Sequence, residues 1–487
     1  MKITAMRPLS WIIISIILCL PARAKVRLHH LIADNMVLQQ QSQARLWGWD
    51  KRGKTVAVTT SWNNRTYRAT AGNDGKWMVS ISTPKAANTP YSITFDDGDR
   101  TVINNVLIGE VWVCAGQSNM EMPMGGFGNC PVEGFNEALT TAGDYGTIRF
   151  AKIPAVMSMT PLDDAVCEWK VVSPESLPDC SAVGFFFARM VNRATHIPIG
   201  LVLANKGGTR VESWLSEENL RQHTDETLDS AQMVTNFPQD YYRPLLWGNG
   251  TFHPILNYTV KGILFYQGCS NVGMHAEKYA ERLDLLVKQW REGFGQGDIP
   301  FYFVQIAPYT YDGDPDGTAS AFLREQQLKA SDIIPNSAIV CTNDCVYPFE
   351  SGQIHPRRKQ PVGERLAYHA LRRDYGFTRL NSESMRYKSM TIQGDTCYVR
   401  FENDYNGISR FDSIEGFEVA GEDRVFHKAK AAHFWVPGND PRNETVFVTS
   451  PEVKRPVAVR YCFKNFQTGN LKNNVLLPLF PFRTDNW

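Results

Sequence analysis

Residues 111–120 read Val111-Trp112-Val113-Cys114-Ala115-Gly116-Gln117-Ser118-Asn119-Met120. A run with few polar groups ends in a glycine-bearing polar turn. Two further stretches repeat this grammar. Ile199-Gly200-Leu201-Val202-Leu203 leads into Asn205-Lys206-Gly207-Gly208-Thr209, and Ile263-Leu264-Phe265-Tyr266 leads into Gln267-Gly268-Cys269-Ser270-Asn271. Phe301-Tyr302-Phe303-Val304 and Ala338-Ile339-Val340 supply two more runs. Strands that read as continuous apolar runs, rather than alternating, are buried on both faces of a parallel sheet. Helical stretches lie between them. In the clearest, Tyr279, Leu283, Leu286, Val287 and Trp290 share one face, with Gly293 as the expected stop. The expectation is an α/β domain over 108–380, with helices covering a parallel sheet.

Outward from this core the texture changes. Residues 25–107 carry short alternating runs such as Trp77-Met78-Val79-Ser80-Ile81, parted by Asn-Asp-Gly and Asp-Asp-Gly turns. They read as a small β-sandwich or jelly roll. Residues 381–487 return to β, with Cys397-Tyr398-Val399-Arg400-Phe401 and Val457-Ala458-Val459-Arg460-Tyr461. At the start, Lys2 and Arg7 precede an apolar run from Leu9 to Leu20, followed by Ala22-Arg23-Ala24. This three-part layout is that of a secretory signal peptide over 1–24, too short in its apolar run to span a bilayer. The expected location is secreted or periplasmic, or lysosomal in a eukaryote, with no membrane span.

The whole chain has 487 residues, with 51 Lys+Arg against 50 Asp+Glu. Loss of Lys2, Arg7 and Arg23 with the leader would leave a balance of −2, which gives no electrostatic footprint for nucleic acid. Of the 10 cysteines, Cys19 falls in the leader; Cys341 and Cys345 are near enough in sequence to bridge. There is no CxxC, HExxH or His/Cys cluster, so no metal site or cofactor is indicated. Gly48-Trp49-Asp50-Lys51-Arg52-Gly53-Lys54-Thr55 matches the phosphate-binding pattern GxxxxGK[ST]. That loop needs a following helix, whereas Val56 to Thr60 alternates as a strand, so the segment reads as a hairpin turn.

In open α/β sheets, ligands bind beyond the carboxyl ends of the strands. The three polar turns lie there, and Gln353-Ile354-His355-Pro356 precedes a late helical stretch, Val362 to Arg373. A serine hydroxyl becomes a nucleophile when an imidazole takes its proton. The tetrahedral oxyanion then needs preorganised donors. Ser118, His355, a Gly207 or Gly208 N–H and the Asn271 side chain would supply these parts. Cys269, in the oxyanion turn, is a rival nucleophile in principle.

GQSNM, KGGTRVESW, YQGCSN and IHPRRKQPVGERLA in this order resemble the sialate O-acetylesterase family, a branch of the SGNH (GDSL-like) hydrolases. The resemblance covers essentially the whole chain after the leader. It implies a flavodoxin-like three-layer SGNH domain with flanking β modules and no cofactor. It further implies an esterase acting on O-acetylated sialic acid, with another acetylated glycan such as xylan as the alternative substrate. Ser118 takes the nucleophile position and His355 the base position. The oxyanion donors are the Ser118 N–H, a Gly207 or Gly208 N–H, and Asn271. Arg210, Glu212 and Trp214, with Gln117 and Gln267, are candidate sugar contacts. Two departures stand out. Cys269 replaces the family's Glu in QGESN, and Gln353 stands where an Asp precedes the catalytic His by two residues. Three possibilities follow: a Ser–His dyad helped by Gln353 or a backbone carbonyl, a substitute acid such as Glu350 or Asp344, or an inactive glycan-binding relative.

Overall fold

The computed structural model describes residues 25–487 apart from 406, 410–412, 436 and 439, so the leader expected at 1–24 lies outside the described residues. Seven strands form the sheet that positions the site: β1 (Arg100–Gly116), β2 (Ile148–Lys152), β3 (Trp169–Val171), β4 (Ile199–Asn205), β5 (Gly262–Tyr266), β6 (Phe301–Val304) and β7 (Ser337–Val340). Their spatial order is β3-β2-β4-β1-β5-β6-β7. Every neighbouring pair is parallel except β2 and β3. The helices that matter are α1 (Ser118–Glu121), α2 (Ala182–Thr195), α3 (Tyr279–Phe294), α4 (Ala319–Ile333) and α5 (Gln360–Asp374).

The apolar run of β1 divides between two cores, as a period-2 strand requires. Val111, Val113 and Ala115 join the core containing Leu283, Leu286 and Trp290 of α3 and Leu323 of α4. Trp112 and Cys114 join the core containing Phe185 and Phe186 of α2 and Val362 and Leu366 of α5. Helices therefore cover both faces of the sheet, and all residues of β4, β5, β6 and β7 are buried. Because β4 and β5 flank β1 and the chain runs outward from it in both directions, the carboxyl end of β1 is the topological switch point.

Several local expectations are corrected. Helix α3 runs past Gly293 and stops at Gly295, which takes the left-handed conformation that glycine adopts without strain. β2 went unread because Arg149 interrupts it. Its guanidinium is buried by donating to the carbonyls of Asn35 and Asn105. The segment Gly48–Thr55 is not a hairpin turn. Strand Gln43–Trp49 pairs with Arg27–Leu28 and Lys76–Ser82, while Thr55–Thr60 pairs with Thr66–Thr70 and Ala87–Asp96. The segment thus crosses between two sheets, and a strand follows it, not a helix. Every cysteine of the described residues is free, Cys341 and Cys345 included.

The flanking β regions are tied to the central domain covalently and by packing. The first half of β1 pairs with Ala87–Asp96 and the second half enters the central sheet, so one 17-residue strand passes through the expected boundary at 107/108. The carboxyl-terminal region forms two four-stranded sheets around its own core. Asp344, considered above as a substitute acid, instead joins this region to the central domain. Its carboxylate accepts from both Arg365 terminal nitrogens at 2.7 and 2.8 Å and pairs with Lys472 at 2.8 Å. Those two cations hold the buried Asp344 carboxyl well below the usual range.

Removing one partner of a buried ion pair strands the other charge, at a cost of about 3–5 kcal/mol. Asp344→Asn is therefore expected to lower the free energy of unfolding in denaturant titration by about that amount. A loss of under about 1 kcal/mol, the scale of a surface pair, would contradict this assignment.

Candidate active site

The turn after β1 places Ser118. Gly116 has φ of +132° there, and a Cβ on it would lie 2.3 Å from the Tyr266 carbonyl oxygen, so only glycine fits. Ser118 then opens helix α1, and its N–H has no carbonyl one turn earlier to bind. The turn after β4 closes in from one side: a Cβ on Gly207 would stand 3.3 Å from the Ser118 Cβ. The turn after β5 is fastened from the other, where the Gln117 side-chain Oε1 accepts the Gly268 N–H at 2.6 Å. The structure thus assembles the Ser118, Gly207 and Gly268 turns at one point.

The His355 loop reaches the same point through Asn119, whose amide donates to the Ile354 carbonyl at 3.0 Å. The fully buried Lys359 donates to the Asn119 side-chain oxygen. His355 itself is half-buried. Its Nε2 is sequestered from solvent without a hydrogen-bond partner among the described residues. Desolvation, aided by the Lys359 charge, lowers its pKa from 6.5 to about 4, so the ring is neutral at ordinary pH. Lys359 is itself pushed down to about 7 by burial.

Several expected contacts prove to be scaffold. Asn271 is fully buried; its Oδ1 accepts from the Val211 N–H at 3.0 Å and its amide donates to Glu212 at 3.0 Å. Its side chain therefore faces inward in this structure, with both polar atoms occupied. Gln267 donates to the Thr209 carbonyl and to Asn271, and accepts from the Tyr279 hydroxyl. Glu212 is buried and paired with Arg282 at 2.7 Å. Arg210 is buried, forked onto Glu226, and near Glu212. Trp214 is core, its indole N–H donating to Thr209. Gln117 is buried, its side-chain Oε1 taken by the Gly268 N–H as described. None of these five candidate sugar contacts faces an open surface.

The Gly207 N–H donates to the Glu121 carboxylate at 2.6 Å, so this candidate oxyanion donor already holds a negatively charged oxygen. Gly208, at φ +80°, lies against the Tyr241 ring. Beside Glu121 opens a cavity of about 650 Å³, lined also by Lys152, Cys167, Lys170, Asp179 and Asn205. Asn205 ends β4, and its Oδ1 is buried without a hydrogen-bond partner among the described residues.

The position two residues before His355 has its own partners. The Gln353 side-chain Oε1 accepts from the His355 backbone N–H at 3.1 Å and from the Cys130 thiol at 3.3 Å, and makes no hydrogen bond to the ring. Glu350 is spent on Arg357 at 2.9 Å and the Tyr347 N–H at 2.9 Å. Cys269 is buried and its thiol is pushed up by desolvation, unlike a nucleophilic cysteine. Cys130, Asn119, Lys359, Glu121 and Asn205 were missed as site residues. Asn119 and Lys359 stood inside the quoted motifs. Cys130, 225 positions from His355, carried no sequence signal.

Among the described residues there is no group of His, Cys, Asp or Glu side chains placed to hold a metal ion, and no helix is long and apolar enough to cross a membrane. The family model described as carbohydrate esterase, sialic acid-specific acetylesterase matches residues 108–372. Human sialate O-acetylesterase is 29% identical over 386 residues, covering 72% of each chain. The mouse enzyme is 27% identical over 444 residues, covering 80% of this chain and 81% of its own. A crystal structure of a carbohydrate acetylesterase from Xanthomonas citri superposes with a TM-score of 0.82 at 30% identity, covering 95% of this chain and all of that one. A serine at the switch point of an SGNH-type sheet, a histidine loop tied to the serine's helix through Asn119, and matches that span the chain lead to one assignment: this chain belongs to the sialic acid-specific acetylesterase family of carbohydrate esterases and is a carboxylic ester hydrolase.

Proposed function

We propose that the protein, once exported, removes O-acetyl groups from sialic acid through an acetyl-Ser118 intermediate. The observation that carries the mechanism is the His355 imidazole, neutral and with its Nε2 unpartnered, in a loop tied by Asn119 to the helix that begins with Ser118. In the first half-reaction Nε2 takes the Ser118 hydroxyl proton as Oγ adds to the acetyl carbonyl carbon. The tetrahedral oxyanion accepts from the Ser118 N–H and from the turn at Gly207 and Gly208, the Gly207 donor becoming available as Glu121 withdraws. Collapse breaks the bond to the sugar oxygen, which leaves with the proton from Nε2. In the second half-reaction water gives a proton to Nε2 and adds to the acetyl carbon. Acetate leaves, and the proton returns to Ser118.

The family membership and the names of the mammalian relatives support sialic acid as the sugar. The cavity beside Glu121 adds a physical reason. Lys152 lines it, is exposed, and has no ion-pair partner among the described residues. It would offer a cation to a sugar carboxylate, which neutral xylose lacks.

Three outcomes are expected. Ser118→Ala should lower acetate release from O-acetylated sialic acid by on the order of 10⁴–10⁶-fold, the scale of losing a nucleophile. Full activity in that variant would reject the assignment. Protonation of His355 removes the base, so kcat/KM should fall only as pH drops through about 4, remaining level across 6.5. An acid limb near 6.5 would show that the free enzyme's base is not the desolvated imidazole. Lys152→Ala should raise KM for O-acetylated sialic acid by roughly 3–10-fold, about 1 kcal/mol. KM for acetylated xylan should stay unchanged; equal effects on both substrates would remove the carboxylate role.

A further inference from the structure

The departure at Gln353 leaves His355 without an adjacent acid, yet its ring is held on a second side. The chain leaving α1 forms a tight turn in which Phe127 and Cys130 exchange two backbone hydrogen bonds of 3.0 Å. Both of these residues touch the imidazole. The Phe127 ring meets it edge-on at 5.3 Å between centroids, and Cys130 Sγ lies 3.8 Å from Nδ1. The turn is anchored beyond the loop, since the Glu133 N–H donates to the Arg357 carbonyl at 3.0 Å. No carboxylate among the described residues takes the ring nitrogen. Glu350 and Asp344, the two substitute acids considered above, are bound to Arg357 and Arg365.

The protons in this cluster can be assigned by elimination. The Gln353 side-chain Oε1 can only accept, so the Cys130 thiol donates its single hydrogen there, at 3.3 Å. The Cys130 sulfur is then left as an acceptor toward Nδ1, which must carry the imidazole proton. With the proton on Nδ1, the lone pair is on Nε2, the nitrogen with no partner. That is the tautomer a general base requires.

We propose that Cys130 is the positioning residue of this active site, standing where a triad acid would stand and fixing the His355 tautomer through an Nδ1–H to Sγ hydrogen bond. Gln353 acts one step further out, orienting the thiol. The inference rests on the Ser118–His355 reading. It adds that the orienter comes from the loop after the nucleophile rather than from the His355 loop. Sulfur is a weaker acceptor than a carboxylate oxygen and carries no charge as a thiol, so a carboxylate at 130 should do the same work at least as well.

The test compares kcat and KM for O-acetylated sialic acid in Cys130→Ala, Cys130→Asp and His355→Ala, and in the doubles of His355→Ala with each Cys130 change. Since a positioned base contributes about 10²–10⁴-fold, loss of its orienter should lower kcat by about 10–100-fold with KM within about twofold. Cys130→Asp should regain wild-type kcat or exceed it. On the His355→Ala background, neither change should have a further effect. Wild-type kcat in Cys130→Ala, an aspartate no better than alanine, or additive losses in the doubles would each overturn the proposal. An active His355→Ala would instead reject the Ser–His reading itself.

A second measurement does not depend on how Cys130→Ala folds. Methyl methanethiosulfonate converts a thiol to its methyl disulfide with release of methanesulfinic acid, and a dithiol reverses the change. Cys130 and Cys167 are half-buried, while the other cysteines of the described residues are buried. Reversible inactivation is expected in wild type and in Cys167→Ser but not in Cys130→Asp. Inactivation that disappears with Cys167→Ser and persists in Cys130→Asp would overturn the assignment.

Discussion

The Glu212 carboxylate is wholly removed from solvent, and the way it is paired sets the positions of the loops around Ser118. An uncompensated carboxylate in the interior would cost several kcal/mol, so it must be paired and hydrogen-bonded. Arg282 of α3 supplies the charge, Arg210 stands near it, and the Asn271 amide caps it. Asn271 then has only its carbonyl oxygen left, which takes the Val211 N–H and the Gln267 amide. Through this chain of partners the turn after β4, the turn after β5 and helix α3 hold one arrangement, and Gly207 is brought against Ser118. The placement of these surface turns therefore depends on an ionic cluster beneath them.

This explains why residues that read as ligand contacts proved to be structure. Arg210, Glu212, Gln267 and Asn271 lie in or just after glycine-bearing turns at strand ends, where binding residues concentrate. A polar side chain there can face outward to a ligand or inward to its neighbours, and its identity does not say which. Here the inward choice is made because the turns themselves expose buried backbone groups: the Thr209 carbonyl, the Val211 N–H and the Gly268 N–H each need a partner.

The two departures from the family pattern have different physical consequences. Cys269 in place of a glutamate puts a neutral, desolvated thiol near Lys359, whose buried ammonium donates to Asn119 and is pushed down to about 7. Lys359 in turn opposes protonation of His355. Gln353 in place of an aspartate takes away the charge that would stabilise an imidazolium. Both changes favour a neutral histidine.

The sequence by itself determined the α/β plan, the flanking β regions, and the candidate nucleophile and base. It could do so because those depend on local pattern: strands buried on both faces must be apolar throughout, and a turn at a sheet's carboxyl edge needs glycine at 116. β2 escaped because one arginine breaks its run, although a tertiary contact makes that arginine buriable. The partners of each polar group were decided only in three dimensions. Asp344 turned to Arg365 and Lys472, Glu350 to Arg357, and the imidazole of His355 met a cysteine brought from another loop. Hydrogen bonds and desolvation act over a few ångströms in space, and the distance between Cys130 and His355 along the chain carries no trace of them.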